Sequence, residues 1–541
     1  MILPQKTQGQ GSILVKNLRF YATCALLFAY LAYGDDPASA LPDGYIEAFQ
    51  DKTLWVIITG FICAFGLSFA VGANDSANSW GTAVGSKTMT LRMACILGSI
   101  CETLGAVFLS GNVIKKLTTG IVKVDEVYKS QFNETTGEFY PAPNNTFKPE
   151  YQLMLGEVGV ITGSAVWQII ASWFAWPVSG THSVVGGILG FSLVASGTNG
   201  VNWIEIAKIA AAWVISPAMA AIFSIALYYP IRKYVVMAED PLKVGKILFP
   251  ILWGFTMLLN AGVVLTTGNL FKSCEAMGKS VDDCDKSWGL SDQELWIISG
   301  AIGLGVFILI AVIVWNDWIF HFEDYRPGGV MNKGFEEDNQ KKEDETEDEE
   351  KQDQKETPIP DADEDTPETR RLFESLQYLS ACSGSLAHGG NDVGNAIGPI
   401  VLLWLIYETP LTFETEPAPF WILLYGGLGI TAGLWILGYK TIETIGEGLA
   451  KVTPSRGFCV EIMSAATVQI ASQFGIPVST THCKVGSVVG IGAIRGVNEI
   501  NLKLFMQIAA AWVITIPASA IVSAAIYSLL YAAIFHLDAT Y

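Results

Sequence analysis

Long apolar runs decide what this chain can become. Residues 54–73, 93–114, 158–176, 203–229, 247–266, 296–320, 419–438 and 507–535 each approach the roughly 20 apolar residues that span a bilayer. Hydrocarbon satisfies no backbone polar group, so such runs fold as helices that close their own hydrogen bonds. A β-barrel would alternate apolar and polar residues along each strand, and these runs do not. The composition agrees, with 51% hydrophobic and 16% charged residues, against about 25% charged in soluble domains. Fifty-three glycines suit close packing between membrane helices. The expected class is an all-α polytopic membrane protein.

The net charge of −19 says little about a substrate. Residues 336–368 hold 17 Asp/Glu and 4 Lys, so −13 of the total sits in one low-complexity stretch. Such a stretch buries too little apolar surface to fold alone. We expect an acidic, disordered loop over 331–371. The nine cysteines form no metal pattern. Most lie in apolar runs as packed thiols. Cys274 and Cys284 lie in a polar loop and are a candidate disulfide pair if that loop is extracellular. Residues 1–50 form an N-terminal extension. Lys16 and Arg19, an apolar run from Phe20 to Tyr33 and Ala38-Ser39-Ala40 read either as a cleaved signal peptide or as an uncleaved extra helix.

Within the apolar framework the chain repeats itself. Residues 72–78 read Gly-Ala-Asn-Asp-Ser-Ala-Asn and residues 389–395 read Gly-Gly-Asn-Asp-Val-Gly-Asn. Pro177-Val-Ser-Gly-Thr-His182 returns as Pro477-Val-Ser-Thr-Thr-His482. Ala-Lys-Ile-Ala-Ala-Ala-Trp-Val-Ile over 207–215 returns as Met-Gln-Ile-Ala-Ala-Ala-Trp-Val-Ile over 506–514. Sequons at Asn133 and Asn144 place the loop 115–150 outside as candidate glycosylation sites. Lys87 and Arg92, then Arg232, Lys233, Lys243 and Lys246, then Lys440, Lys451 and Arg456 place their loops in the cytoplasm. Lys115, Lys116 and Lys123 count the other way. The resulting map has about 12 transmembrane segments, both termini outside and the acidic loop in the cytoplasm. Its halves, 51–230 and 372–541, run in opposite directions around connecting helices at 231–330. Inverted repeats with broken or re-entrant helices and a midplane site are the pattern of secondary transporters.

The motifs divide the chemistry. On a helix Asn74 and Asn78 share a face, with Asp75 three residues from Asn78. The array offers a carboxylate and amide oxygens in a small space, as do Asn391, Asp392 and Asn395. Hard cations such as sodium prefer oxygen ligands. These six residues, joined by Thr181 and Thr481, are the candidate sodium ligands. At the other motif proline breaks the incoming helix and Ser or Thr caps the next. Its start then presents N–H groups and a positive dipole end to an oxyanion. Ser179, Gly180, Thr181, Ser479, Thr480 and Thr481 are therefore candidate contacts for an oxyanion, phosphate included, with Asp75 and Asp392 beside them, and the hydroxyls can serve an anion or a cation. Glu102, Glu157 and Glu461 are carboxylates in apolar surroundings and candidate coupling groups. Glu157 and Glu461 are expected to open their helices. His182 and His482 read as packing residues.

At these motifs the chain resembles the inorganic phosphate transporter family called PiT, of sodium–phosphate cotransporters. The likeness covers about residues 51–330 and 372–535. Gly163-Ser-Ala-Val-Trp-Gln168 and Ser455-Arg-Gly-Phe458 resemble its animal branch. The resemblance implies a sodium-coupled symporter that imports inorganic phosphate by alternating access across the plasma membrane. It also implies that Asp75, Asp392, Glu102 and Glu461 stand at essential carboxylate positions. No cofactor is expected, because sodium is a co-substrate. The expected partners are phosphate, sodium and the lipid bilayer, with a homodimer as a candidate assembly and no nucleic acid. Departures are small: Ser76 replaces Val, Gly390 and Gly394 replace Ala, and the N-terminal extension is longer than usual. Proton coupling, a sulfate-type oxyanion and a non-transporting phosphate sensor are the alternatives. No nucleophile–base constellation suggests an enzyme.

Overall fold

Helix α1 (Tyr45–Asp75) carries the first Asn-Asp motif at its end and passes through a break at Ser76 into α2 (Ala77–Gly85). The computed structural model describes residues 45–128, 131–133, 138–140, 149–267, 289–315, 364–409, 418–474, 476 and 478–535. Cys274, Cys284, Asn144, the Asn133 side chain and residues 1–44 and 316–363 lie outside the described residues. The first half continues with α3 (Leu91–Leu109), α4 (Gly111–Thr119) and α5 (Val124–Val127). A short antiparallel pair follows, β1 (Gln131–Asn133) on β2 (Glu138–Tyr140). Then come α6 (Pro149–Trp173), α7 (Gly180–Ser196) and α8 (Trp203–Ile231). Connecting helices α9 (Pro241–Thr267) and α10 (Asp292–Trp315) pack on each other. The second half comprises α11 (Pro367–His388), a π-turn at Gly389–Val393, α12 (Gly394–Glu408), α13 (Phe420–Glu443), α14 (Pro454–Gln473), α15 (Thr480–Arg495) and α16 (Leu502–Phe535).

Eight helical stretches among the described residues are long and apolar enough to cross a membrane. Helices α11, α12, α14 and α15 are not among them. Helix α12, with 15 residues, and α15, with 16, are short, while α11 and α14 carry buried polar residues that lower their apolar signal. Two expected boundaries move. The acidic loop does not run to 371, because Thr366 accepts the Thr369 N–H as N-cap and α11 starts at Pro367. The N-terminal extension does not run to 50, because α1 already includes residues 45–50. Glu157 and Glu461 do not open their helices either. Each lies about two turns inside, since α6 begins at Pro149 and α14 at Pro454.

Contacts of the two halves correspond. Helix α1 packs on α6, as α11 does on α14; α13 packs on α1, as α3 does on α11. Helix α7 packs on α16, and α15 on α8, so each half's motif helix lies against the last long helix of the other half. Two glycines make the α1–α13 contact possible. A Cβ at Gly72 would meet the Ile430 carbonyl oxygen at 2.0 Å, and one at Gly433 the Phe69 carbonyl oxygen at 1.9 Å. Large apolar side chains point outward instead, among them Ile204 and Val214 on α8, Ile297 and Trp315 on α10, and Val513 and Ile521 on α16. Apolar side chains thus cover the outside as well as filling the buried clusters, while buried polar groups gather at the motif segments, which suits a protein solvated by lipid.

Candidate substrate and ion site

The helix breaks form as proline chemistry requires. Helix α6 ends at Trp173, Ala175 turns the chain at φ +53°, and Pro177 supplies no N–H to continue. Ser179 then caps α7, its Oγ accepting the His182 N–H at 3.2 Å. Ser479 does the same for α15 with the His482 N–H, also at 3.2 Å. Both Asn-Asp motifs lie at irregular backbone as well, the first at the α1–α2 break and the second in the Gly389–Val393 π-turn. Such turns free backbone groups and recur at functional sites.

These four irregular segments converge. Asn78 Nδ2 donates to Asp75 Oδ1 at 3.2 Å and to Thr481 Oγ1 of the opposite half at 2.9 Å. Asn395 Nδ2 donates to Asp392 Oδ1 at 3.0 Å and to Thr181 Oγ1 of the opposite half at 2.6 Å. The hydroxyls also cross: Thr181 donates to the Val478 carbonyl at 3.2 Å, Thr481 to the Val178 carbonyl at 3.0 Å and to Asp75 Oδ1 at 2.9 Å. Asp75 Oδ2 accepts the Gly180 N–H at 3.1 Å, while Asp392 Oδ2 accepts the Thr480 hydroxyl at 2.5 Å. All of these side chains are buried. A carboxylate of the protein thus holds the helix-start N–H where an oxyanion was expected.

The amide oxygens decide what the cluster can hold. Oδ1 of Asn78, Asn391 and Asn395 is buried and has no donor among the described residues. A buried carbonyl oxygen without a donor is costly, and a cation is the group that three such oxygens beside two carboxylates suit. Asn74 is different. Its Nδ2 donates to the Trp176 carbonyl at 2.9 Å and to Ser172 Oγ at 3.2 Å, and its Oδ1 accepts the Val178 N–H at 2.9 Å. It latches the α6–α7 break. Asn391 Nδ2 ties the second break likewise, to the Val478 carbonyl at 3.0 Å.

The three glutamates part company. Glu102 on α3 accepts the Ser76 hydroxyl at 3.2 Å and lies 3.4 Å from His388 Nδ1. His388 Nε2 lies 3.1 Å from Asp392 Oδ2. Glu102 therefore connects to the site through a histidine that the motifs did not single out, although it directly precedes Gly389. Glu461 accepts the Thr82 and Ser380 hydroxyls, each at 2.5 Å, which ties α14 to α2 and α11. The described residues show no hydrogen bond between Glu157 and any motif residue; its electrostatic neighbour is Tyr128. Gln168 was also missed. It is fully buried, neither amide atom has a partner among the described residues, and its Nε2 lies 3.6 Å from where a Cβ on Gly180 would stand. The His182 and His482 rings lie 4.4 Å apart between centroids, tilted at 54°, with Trp213 4.0 Å from His182 and Trp512 stacked on His482 at 3.7 Å. This is the packing role expected of them.

Comparison with known proteins places these features in a lineage. Residues 71–523 match the phosphate transporter family. Sodium-dependent phosphate transporter 1-A of Danio rerio is 32% identical, covering 90% of this chain and 96% of its own. Sodium-dependent phosphate transporter 2 of Bos taurus is 34% identical, over 89% and 98%. A solved structure of a sodium-dependent phosphate transporter is 29% identical, covers 88% of this chain and 99% of its own, and superposes with a TM-score of 0.68. The chain belongs to the phosphate transporter family.

Proposed function

We propose that this chain is a multi-pass membrane symporter that imports inorganic phosphate with sodium, at the cluster where the four motif segments meet. The observation that carries the reading is the set of unpartnered amide oxygens on Asn78, Asn391 and Asn395 beside Asp75 and Asp392. Sodium ions sit among those oxygens, with the Thr181 and Thr481 hydroxyls completing the shells. Phosphate takes the starts of α7 and α15, at Ser179, Gly180 and Thr181 and at Ser479, Thr480 and Thr481, with the amide of Gln168 alongside.

The charges supply the coupling. Phosphate beside two carboxylates is repelled strongly where water is excluded. Sodium between them offsets the repulsion, so each ligand raises the affinity for the other, and linkage makes the effect reciprocal. To admit phosphate, Asp75 must release the Gly180 N–H and turn toward sodium. The two halves act as inverted repeats that rock about this site, which exposes it to each side in turn. About twelve segments cross the bilayer, the shorter motif helices α7, α12 and α15 adding to the long apolar ones. The chain resides in the plasma membrane with its termini outside and its acidic segment in the cytoplasm. The cleft of about 660 Å³ bounded by Lys87, Arg370 and Lys451 then opens toward the cytoplasm.

Labelled phosphate uptake into proteoliposomes, with sodium and with choline in its place, tests the reading. Uptake should require sodium, resist competition by sulfate, and vanish in Asp75→Asn at normal protein incorporation. Undiminished uptake in choline, or by that variant, sinks it.

A further inference from the structure

Helices α6 and α7 register on α14 and α15 at an offset of 300. Ser164 and Ser464, Ala165 and Ala465, Ser179 and Ser479, His182 and His482, and Gly186 and Gly486 all pair this way. The fold keeps the register. A Cβ on Gly186 would meet the Ile516 carbonyl oxygen at 2.6 Å, and one on Gly486 the Pro217 carbonyl oxygen at 2.4 Å. The symmetry breaks at several buried positions, Gly156 against Arg456, Glu157 against Gly457 and Gln168 against Val468 among them, and at two more the second half gains opposite charges. Ile161 and Val184, both buried in one apolar cluster, have Glu461 and Lys484 as their counterparts.

Lys484 is only 2% exposed and Glu461 is 0% exposed. No nitrogen–oxygen contact within 4.0 Å joins them among the described residues, and Glu461 is the charged group whose field reaches Lys484. Glu461 is also held by hydroxyls from α2 and α11. The Lys484 ammonium has no hydrogen-bond partner among the described residues. It sits one turn beyond Thr481 on α15, about 4.5 Å along the axis, and so next to the level of the Asp75–Thr481 contact.

Packing does not call for this pair. The first half fills the same positions with isoleucine and valine, and exchanging a buried ion pair for apolar side chains is often neutral or stabilising. Nor does a single buried carboxylate need a lysine. Glu102, in the same molecule, lies against a histidine and a serine instead. What a lysine adds is a positive charge that cannot diffuse away.

We propose that Lys484 is a tethered cation: its ammonium balances Glu461 in place of a sodium ion that the second half would otherwise recruit from solution, and so sets how many sodium ions accompany each phosphate. The proposal rests on the sodium–phosphate reading above. Lys484 acts through Glu461 and is a positioning residue. Asp75, Asp392 and Glu102 remain as the carboxylates that mobile cations must serve. Without Lys484, Glu461 stands buried and uncompensated, and the site can close only when an additional sodium ion enters with the phosphate.

The experiment compares the full chain with Lys484→Arg and Lys484→Met at neutral pH, reading current against labelled phosphate. Lys484→Arg should keep the wild-type charge per phosphate. Lys484→Met should move one more positive charge per phosphate and depend more steeply on sodium. A Met variant with the wild-type ratio and sodium dependence overturns the proposal, as do Arg and Met variants equally impaired with that ratio unchanged. If Lys484→Met carries no phosphate, the sodium dependence of the purified protein's thermal stability is read instead; one additional linked sodium supports the proposal and none overturns it. If it does not fold, the neutral pair Glu461→Gln with Lys484→Met should restore surface protein, and failure to do so counts against it. Sodium-independent uptake by the wild type overturns the underlying reading, and this proposal with it. Sodium-driven wild-type uptake with unaffected variants overturns the proposal alone.

Discussion

Asn74 and Asn78 stand one helical turn apart on the same motif and serve different ends. Asn74 spends all three hydrogen bonds on the α6–α7 break, whereas Asn78 joins Asp75 to Thr481 and leaves its oxygen unpartnered. Asn78→Ala should therefore weaken apparent sodium affinity about tenfold at normal surface amount, the loss expected when about 1.4 kcal/mol of interaction is removed. Asn395→Ala should do the same, because its contacts mirror those of Asn78. Asn74→Ala should instead lower thermal stability by about 1–3 kcal/mol, since it strands the buried Val178 N–H and Trp176 carbonyl. Sodium titrations of uptake beside thermal melts of the same variants check the division; a sodium defect confined to Asn74→Ala reverses it. The residue types were legible in the sequence because the motifs occur twice. Their division of labour was not, because it depends on which Thr reaches which Asn across 403 positions. His388 and Lys484 were passed over for another reason: each adjoins a motif, and a single polar residue beside a glycine-rich or hydroxyl-rich run reads as its edge.

Between elements, backbone proximity matters more than side-chain volume. Helices α1 and α13 touch through Gly72 and Gly433, each without room for a methyl group. Gly72→Ala would drive a carbon to 2.0 Å from the Ile430 carbonyl oxygen, so the helices must separate beside the Asn-Asp motif. Overpacking of this kind costs about 1–3 kcal/mol, and the variant should melt lower and lose uptake. Gly66→Ala, on the same helix with nothing within 4 Å of the added carbon, should melt no lower than the wild type. Equal melting of the two variants would remove the close contact from the account. Hydropathy alone exposed the long helices but not α12 and α15, which are short, or α11 and α14, whose buried polar side chains lower their apolar signal. It also placed the start of α11 too late. The cap at Thr366 lies inside a run of acidic residues, and a run read by composition conceals a boundary read by hydrogen bonding.

Among the described residues of the whole molecule, helix contacts and central hydrogen bonds join the halves. Helix α7 packs on α16, α15 on α8 and α1 on α13, and the Asn78–Thr481 and Asn395–Thr181 bonds cross at the centre. Sequence repetition alone suggested two halves. It could not reveal that each half's Asn bonds to the other half's Thr, because that follows from how the motif helices cross. Residues 336–363 are mostly charged and polar, with Ile359 their one large apolar side chain, so we expect assembly not to need continuity of the chain there. Just after it, Glu364 pairs with Lys451, and Asp365 accepts the Ser455 N–H at 2.9 Å and its hydroxyl at 2.6 Å. These contacts fix the start of α14, two turns before Glu461. A protease site placed within 336–363 and cleaved in the purified protein should leave both fragments together, with sodium-driven uptake unchanged. A deletion carried on through Thr366 should behave otherwise. It removes the Asp365 acceptor and the α11 cap, each cap being worth about 1 kcal/mol, and it releases α14 from its anchor. Uptake should then fall while cleavage alone does no harm. Separation of the fragments, or loss of uptake on cleavage, would show that the acidic segment helps hold the halves in register and is not a mere tether.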